Sequence, residues 1–305
     1  EYAWKKEIHG SILAYLGMKK DHFYSVENTV DGKFFVTARG WEDLSEILKA
    51  YEELGVEITE NLIGEYLCRD EIARSFFASY QLYRKYGEDY GLKRLLSGEM
   101  AEEEQQKKVK MAEGASFEER FLVTGLLLSG LNGSFLDYEK LDKETGAVYQ
   151  ELLHLKAFLH DKKDMTALDE FTDVKKKSLA VRLEAELLNL EQQTTEEFVI
   201  RTLEEFSLTI RKEHITDTET GFERIRQLFT EMVEKRKDCA KKISRELERA
   251  FAFMKACFGD GQETVLFVTG LTRNSHAAAF IREYGCDPYF ACSEKLLYRK
   301  QEKKL

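Results

Sequence analysis

Apolar positions three and four apart recur along most of this chain, and they predict a mainly helical protein. Tyr2, Trp4, Ile8, Ile12, Leu13 and Leu16 fall on one face of a helix over 2–17 that Gly17 can close. Residues 22–36 read instead as two extended pieces around Asp31-Gly32, a hairpin with Phe34 to Val36 as the return strand. A helix then runs from Arg39 to about Leu54, with Ile47, Leu48 and Tyr51 apolar. Thr37 is its expected N-cap and Gly55 its stop, with Glu42 and Asp43 expected in the first turn. Thr59 caps a helix carrying Leu62, Ile63, Tyr66 and Leu67. Asp70 caps another, whose stripe of Ile72, Phe76, Phe77, Tyr80 and Tyr83 marks a core face.

The pattern thins after Tyr86. Residues 100–110 form a charged run without proline, an exposed helix or a linker, and a new apolar period begins at Phe117. A domain boundary is expected between them. Phe117 to Leu131 is the most apolar helix, expected to be the centre of a second domain and to break at Gly133-Ser134. Helical segments follow over 135–160 and 164–192, and Thr195 is expected to cap a helix through Arg211. From Gly221 to Cys257 the period continues without interruption. Such a helix is ~55 Å long at 1.5 Å per residue, and its apolar face needs either a bundle or a coiled-coil partner. Gly259-Asp260-Gly261 ends it. Thr264 to Val268 then reads as a buried strand, Thr272 or Asn274 as the cap of a short helix closed by Gly285, and Cys286-Asp287-Pro288 as a turn. Tyr289-Phe290 reads as a second short strand and 293–304 as a charged helix.

Composition agrees and narrows the function classes. The 305 residues include one proline and 19 glycines, too few breakers for a loop-rich fold. Lysine and arginine total 46 against 56 acids, a net charge of −10. That balance argues against a general nucleic-acid surface and against a polybasic membrane patch. No apolar run reaches the ~18 residues of a membrane helix. Cys68, Cys239, Cys257, Cys286 and Cys292 are odd in number and scattered, which suits reduced thiols and a cytoplasmic setting.

Arg39 is the residue that chemistry singles out. A cation at a helix N-terminus opposes the helix dipole, so its place there needs another reason. Two are open: an anionic ligand such as phosphate, or a neighbouring surface carboxylate. The segment Phe35-Val36-Thr37-Ala38-Arg39-Gly40-Trp41-Glu42-Asp43-Leu44-Ser45 resembles the sensor-2 segment of MoxR-type AAA+ ATPases, with Ala38 where members commonly carry proline. The likeness extends less specifically over about residues 8–90, and Glu263 to Phe290 resembles the far C-terminal end of some bacterial members. The resemblance implies that Arg39 begins a helix of the small lid domain and reaches the γ-phosphate of ATP. It also implies ATP and Mg as cofactors of the complete protein, a homo-oligomeric ring and chaperone-like remodelling of a client. A von Willebrand factor A domain protein is the implied partner. On this reading residues 1–98 are a lid-like domain with a hairpin and 99–115 a charged linker. Residues 116–258 are a helical bundle and 259–305 a small α/β tail.

The catalytic core of such an ATPase has no counterpart here. A P-loop needs G-x-x-x-x-G-K-[S/T], and Gly32-Lys33 is preceded by Glu27 and followed by Phe34 at the required positions. A Walker B strand should end in Asp-Glu, whereas Val265 to Val268 is followed by Thr269-Gly270. The chain opens at Glu1, and the core is expected upstream of it, so these residues alone should bind no cofactor and hydrolyse no ATP. No residue is assigned as catalytic or as a metal ligand. His276, Cys286 and Cys292 lack paired zinc spacing, and His154 and His160 are not an i, i+4 pair. Glu196-Glu197 and Glu204-Glu205 read as a helix start and a solvated face. Thr269-Gly270-Leu271-Thr272-Arg273-Asn274 is a weak phosphate-turn candidate. The competing reading is a stand-alone helical scaffold that binds a protein partner and catalyses nothing.

Overall fold

The computed structural model describes residues 2–29, 32–162 and 164–302, by backbone alone at 4, 5, 27–29, 32–34 and 296–302. The chain is mainly helical. Its elements are α1 (Tyr2–Lys5), α2 (Gly10–Met18), β1 (Ser25–Thr29), β2 (Gly32–Val36), α3 (Ala38–Leu54), α4 (Glu60–Tyr66), α5 (Asp70–Tyr90), α6 (Leu92–Ser97) and α7 (Glu102–Glu113). Then come α8 (Phe117–Leu159), α9 (Ala167–Glu184), α10 (Leu190–Lys212), α11 (Thr218–Phe258), α12 (Gln262–Arg273), α13 (Ser275–Tyr284) and α14 (Asp287–Glu302). A 3₁₀ turn occupies Lys20–His22. The antiparallel hairpin pairs Ser25 with Val36 and Thr29 with Gly32; Asp31, the expected turn residue, lies outside the described residues.

Two compact units share the chain. One takes residues 1–135 and 242–305, the other 136–241. The division therefore falls inside α8 and α11, not in the charged stretch 99–115. That stretch is the helix α7, tied to α6 by a bidentate Arg94–Glu104 pair at 3.0 and 2.7 Å and by burial of Ala112.

In the first unit an aromatic centre joins α2, α3 and α5. Phe76 meets Trp41 edge-on at 5.2 Å and Tyr15 at 5.3 Å between ring centroids. Leu44, Leu48, Ile63 and Leu67 close this core. Glycines bring helices onto α8. A Cβ on Gly125 would lie 3.1 Å from that of Ala14, and one on Gly270 would lie 2.5 Å from Leu128 Cδ1. In the second unit one cluster draws Val148 and Leu155 from α8, Leu168 and Phe171 from α9, Leu203 and Phe206 from α10 and Ile225 from α11.

Many capping expectations hold. Thr37 accepts from Gly40 N, Thr59 from Leu62 N, and Asn274 from the amides of His276 and Ala277. Gly55 closes α3 at φ 67° and Gly285 closes α13 at φ 78°. α11 is one uninterrupted helix of 41 residues, as its period predicts.

Other expectations are corrected. The helix expected over 2–17 is two helices: the chain turns at Glu7 (φ 50°), His9 caps α2, and Gly17 lies within it. Glu42 and Asp43 fall past the first turn of α3, because the helix already starts at Ala38. Arg69, not Asp70, is the N-cap of α5, with no side-chain capping bond. α8 does not break at Gly133-Ser134 but runs on for 43 residues. A glycine costs a helix only about 1 kcal/mol against alanine. Here buried Leu131 and Phe135 flank it, and the Ser134 hydroxyl is occupied by Glu246 Oε2 at 2.6 Å. α10 starts at Leu190 behind an Asn189–Gln192 capping box, leaving Thr195 inside it with its hydroxyl on Glu191 O.

In the expected α/β tail the described residues form the helices α12, α13 and α14 and no strand. Buried Thr264, Phe267, Val268 and Leu271 lie three and four apart, a helical period that a five-residue window hides. The hydroxyls of Thr269 and Thr272 donate to the carbonyls of Val265 and Val268, one turn back. Tyr289 and Phe290 belong to α14, whose first turn tolerates Pro288 because no amide partner is needed there.

Two kinds of helical glycine should separate experimentally. A Cβ on Gly133 or Gly146 meets nothing within 4 Å, while one on Gly10 would lie 2.5 Å from Ser129 Oγ. Gly133→Ala and Gly146→Ala are each expected to stabilise by about 0.5–1 kcal/mol, and Gly10→Ala to destabilise by about 1–3 kcal/mol. Urea unfolding of the three variants checks this.

Candidate functional site

Two places in the first unit bring chemistry-bearing residues together. The first is the start of α3. β2 ends at Val36, which is fully buried, and Thr37 follows in extended conformation (φ −133°, ψ 163°) with Oγ1 accepting from Gly40 N at 3.3 Å. Gly40 is needed at that spot, since a Cβ there would lie 2.7 Å from the carbonyl oxygen of Tyr66 at the end of α4. Trp41 anchors the same turn, buried against Phe76, with Nε1 donating to the His22 carbonyl at 3.2 Å. The backbone on both sides of Arg39 is thus fixed. Its side chain is 78% exposed, and the guanidinium meets Asp43 one turn on, Nε to carboxylate oxygen at 3.0 Å. That is the surface-carboxylate contact. Solvent screens an exposed i, i+4 pair of this kind, which contributes little to stability, so the guanidinium can change partners at little cost.

The second place is a cleft of about 930 Å³ bordered by the end of α3, by α5 and by α8. His9, Glu52 and Tyr83 line it, with Arg84 at its edge. His9 Nε2 lies 3.1 Å from Glu52 Oε2, and Tyr80 Oη donates to Glu52 Oε1 at 2.8 Å. On its other side His9 Nδ1 accepts from the Ser11 backbone N–H at 3.3 Å and lies 2.7 Å from Ser11 Oγ. An Nδ1 that accepts leaves the proton on Nε2, where it can be donated to Glu52. The order serine, histidine, glutamate is that of a hydrolase triad, but Ser11 is 1% exposed and holds the first turn of α2. A hydroxyl so placed cannot meet a substrate, so the chain of bonds ties α2 to α3 and α5.

Burial opposes the Glu52 charge, but the hydrogen bonds from the His9 ring and the Tyr80 hydroxyl outweigh it and hold the carboxyl below its usual range. Burial, reinforced by the Glu52 charge, pushes the Tyr80 phenol up. Burial takes that of Tyr83 to about 12. No sequence motif announces this group, because its members stand at positions 9, 52 and 80. The signal that could have found it is a histidine at a helix N-cap, with an acid near the end of α3 in reach of its ring.

The remaining sequence candidates are dispersed or engaged. The phosphate-turn candidate Thr269–Asn274 is the end of α12, and the Asn274 carboxamide already occupies the amides at the start of α13. Glu196 is paired with Arg182 and Glu204 with Lys176. His154 faces Glu151, and His160 faces Asp161. His276 opens α13, Cys286 precedes α14 and Cys292 lies within it; among the described residues no group of three His, Cys, Asp or Glu could hold a metal ion. None of the five cysteines is in a disulfide, and burial pushes the Cys257 thiol up to about 12. No helix of the described residues is long and apolar enough to cross a membrane. The chain matches no family model, and no curated protein or solved structure shows significant similarity to it.

The Glu52 group predicts the acid limb of stability. A carboxyl held below its ordinary value near 4.5 contributes stability above that pH and loses it as pH falls through the lower folded value. Between about pH 5 and pH 3 the wild type should therefore lose more stability than Glu52→Gln, whose acid limb is flatter. Urea midpoints of both proteins across that range are the measurement.

Proposed function

We propose that residues 1–98 act as the helical lid of a AAA+ ATPase of the MoxR type, with Arg39 reading the γ-phosphate of ATP. The P-loop and Walker B carboxylates are contributed from outside these 305 residues. The observation that supports this reading is the placement of Arg39: a rigid first helical turn, a side chain open to solvent, and one weak contact to Asp43. A phosphate at that point would meet both the guanidinium and the positive end of the α3 dipole. As the phosphoryl group transfers, the guanidinium can bond to oxygens whose charge is shifting. ATP and Mg bind at the completed site, ring assembly presents Arg39 to it, and hydrolysis drives remodelling of a protein client, with a von Willebrand factor A domain protein as partner.

One observation favours the alternative of a helical interaction module. Val174, Val181, Leu187 and Leu190 of the second unit are all exposed. Apolar groups in the open suit a protein-binding face.

Kinetics separate the two. In a polypeptide that joins these residues to their nucleotide-binding core, Arg39→Ala is expected to lower kcat roughly 10- to 1000-fold with the helical content unchanged by circular dichroism. Arg39→Lys should recover part of it, keeping the charge but losing the fork. Equal rates would remove Arg39 from nucleotide chemistry and leave the interaction module.

Ala38 provides a second check. It is the first residue of α3, the position at which proline is most welcome, and Thr37 before it already has the extended conformation that a following proline imposes. Ala38→Pro should leave the fold intact and stabilise it by about 0.4–1 kcal/mol, read as a higher midpoint in thermal unfolding. A loss of stability would mean that the lid turn of the family is not the turn made here.

A further inference from the structure

A trough of about 580 Å³ lies between α2, α8 and α12 in the first unit. α2 and α12 both seat on α8 through glycines, α2 at Gly125 and α12 at Gly270. The gap left between them has α8 as its floor. Each wall shows it positions three and four apart, Leu13, Ala14 and Gly17 from α2 and Val265, Leu266 and Thr269 from α12. Apolar surface stays open to water there, with Leu266 37% exposed and Leu13 and Val265 only partly covered. From Gln262 to Arg273 the α12 wall extends about 16 Å, three turns at 1.5 Å per residue.

The charges on this trough are of one sign. Lys20 and Arg273 line it and no carboxylate does, in a chain of net charge −10. Both cations are exposed, and among the described residues neither side chain has a hydrogen-bond or ion-pair partner. They stand at opposite ends. Gly17, three residues before Lys20, packs on Phe121, and Gly10 packs on Ser129, so α2 runs against α8. Glu263 meets Arg120, Gly270 meets Leu128 and Asn274 bonds to Asn132, so α12 runs with α8. Lys20 therefore marks the Phe121 end and Arg273 the Asn132 end.

We propose that this trough is the docking groove for an acidic amphipathic helix of a protein partner. The occupant presents apolar residues at i, i+3, i+4 and i+7 to the floor and carboxylates near both of its ends to Lys20 and Arg273. Helices laid into grooves use that spacing, and opposite charge at the rim sets orientation and partner choice. A single-headed amphiphile such as a fatty acid would satisfy one cation and leave the other bare, which favours the helix.

The test uses the full 305-residue chain and a fluorescein-labelled 14-residue helical peptide with leucines at the four apolar positions and two glutamates at each end. Anisotropy titration should show saturable binding that weakens as salt rises. The same peptide with lysines for glutamates should bind at least about tenfold more weakly. Lys20→Glu and Arg273→Glu should each weaken the acidic peptide roughly tenfold or more. Leu266→Asp, at an exposed position, should abolish binding with an unchanged circular dichroism spectrum. No saturable binding of the acidic peptide, equal binding of both peptides, or indifference to Arg273→Glu overturns the proposal. So does a dansyl fatty acid that binds in a Leu266-dependent manner while the peptide does not. A dimer in sedimentation that Leu266→Asp dissolves would assign the trough to a second copy of this chain and overturn it as well.

Discussion

Close helix contact at glycine is the constraint on which the first unit rests. Where Gly10 and Gly270 stand, a methyl group would already collide with Ser129 or Leu128, and at Gly125 it would press tightly on Ala14. The helices can therefore approach one another more nearly than side chains of ordinary size permit. Dispersion contacts fall off steeply with small separations, so this proximity lets neighbouring apolar residues meet at full density. It also fixes the two features that carry chemistry. Gly10 sits beside His9, so seating α2 on α8 brings the imidazole to Glu52, and seating α12 on α8 leaves the trough with Lys20 and Arg273 at its ends.

Local signals were legible in the sequence, and tertiary ones were not. Thr37, Thr59, Asn274, Gly55 and Gly285 act within three or four residues, and each does in the structure what its chemistry predicts. α11 was legible because its apolar period persists through 41 residues. Gly133-Ser134 reads as a break, since both residues weaken a helix, yet buried neighbours and a Glu246 acceptor outweigh that preference. Thr264 to Val268 is β-branched and apolar, and only the packing of Phe267 and Leu271 decides for a helix. At the candidate sites the same split holds. Arg39 drew notice because its oddity is local, a cation at a dipole's positive end. The His9, Glu52 and Tyr80 group joins positions up to 71 apart in sequence (80 − 9), and nothing local marks it.

Helix stability does not account for the arginine at position 39. Its pair with Asp43 has the cation N-terminal to the acid, the order that opposes the helix dipole and gives the weaker i, i+4 interaction. Both ends of that pair are well exposed, so solvent and salt screen what remains. Against this stands a turn made with care on every side: Thr37 capping it, Gly40 admitting the Tyr66 carbonyl, and Trp41 buried beneath. If the proposed lid reading holds, little has to be broken or ordered at this turn when a phosphate arrives. A phosphate carrying two charges would compete for the fork far better than one exposed carboxylate, and the dipole that opposes Arg39 in its absence would then favour the complex. On the proposed lid reading, the α3 dipole and the Arg39 guanidinium would then act on the phosphate together.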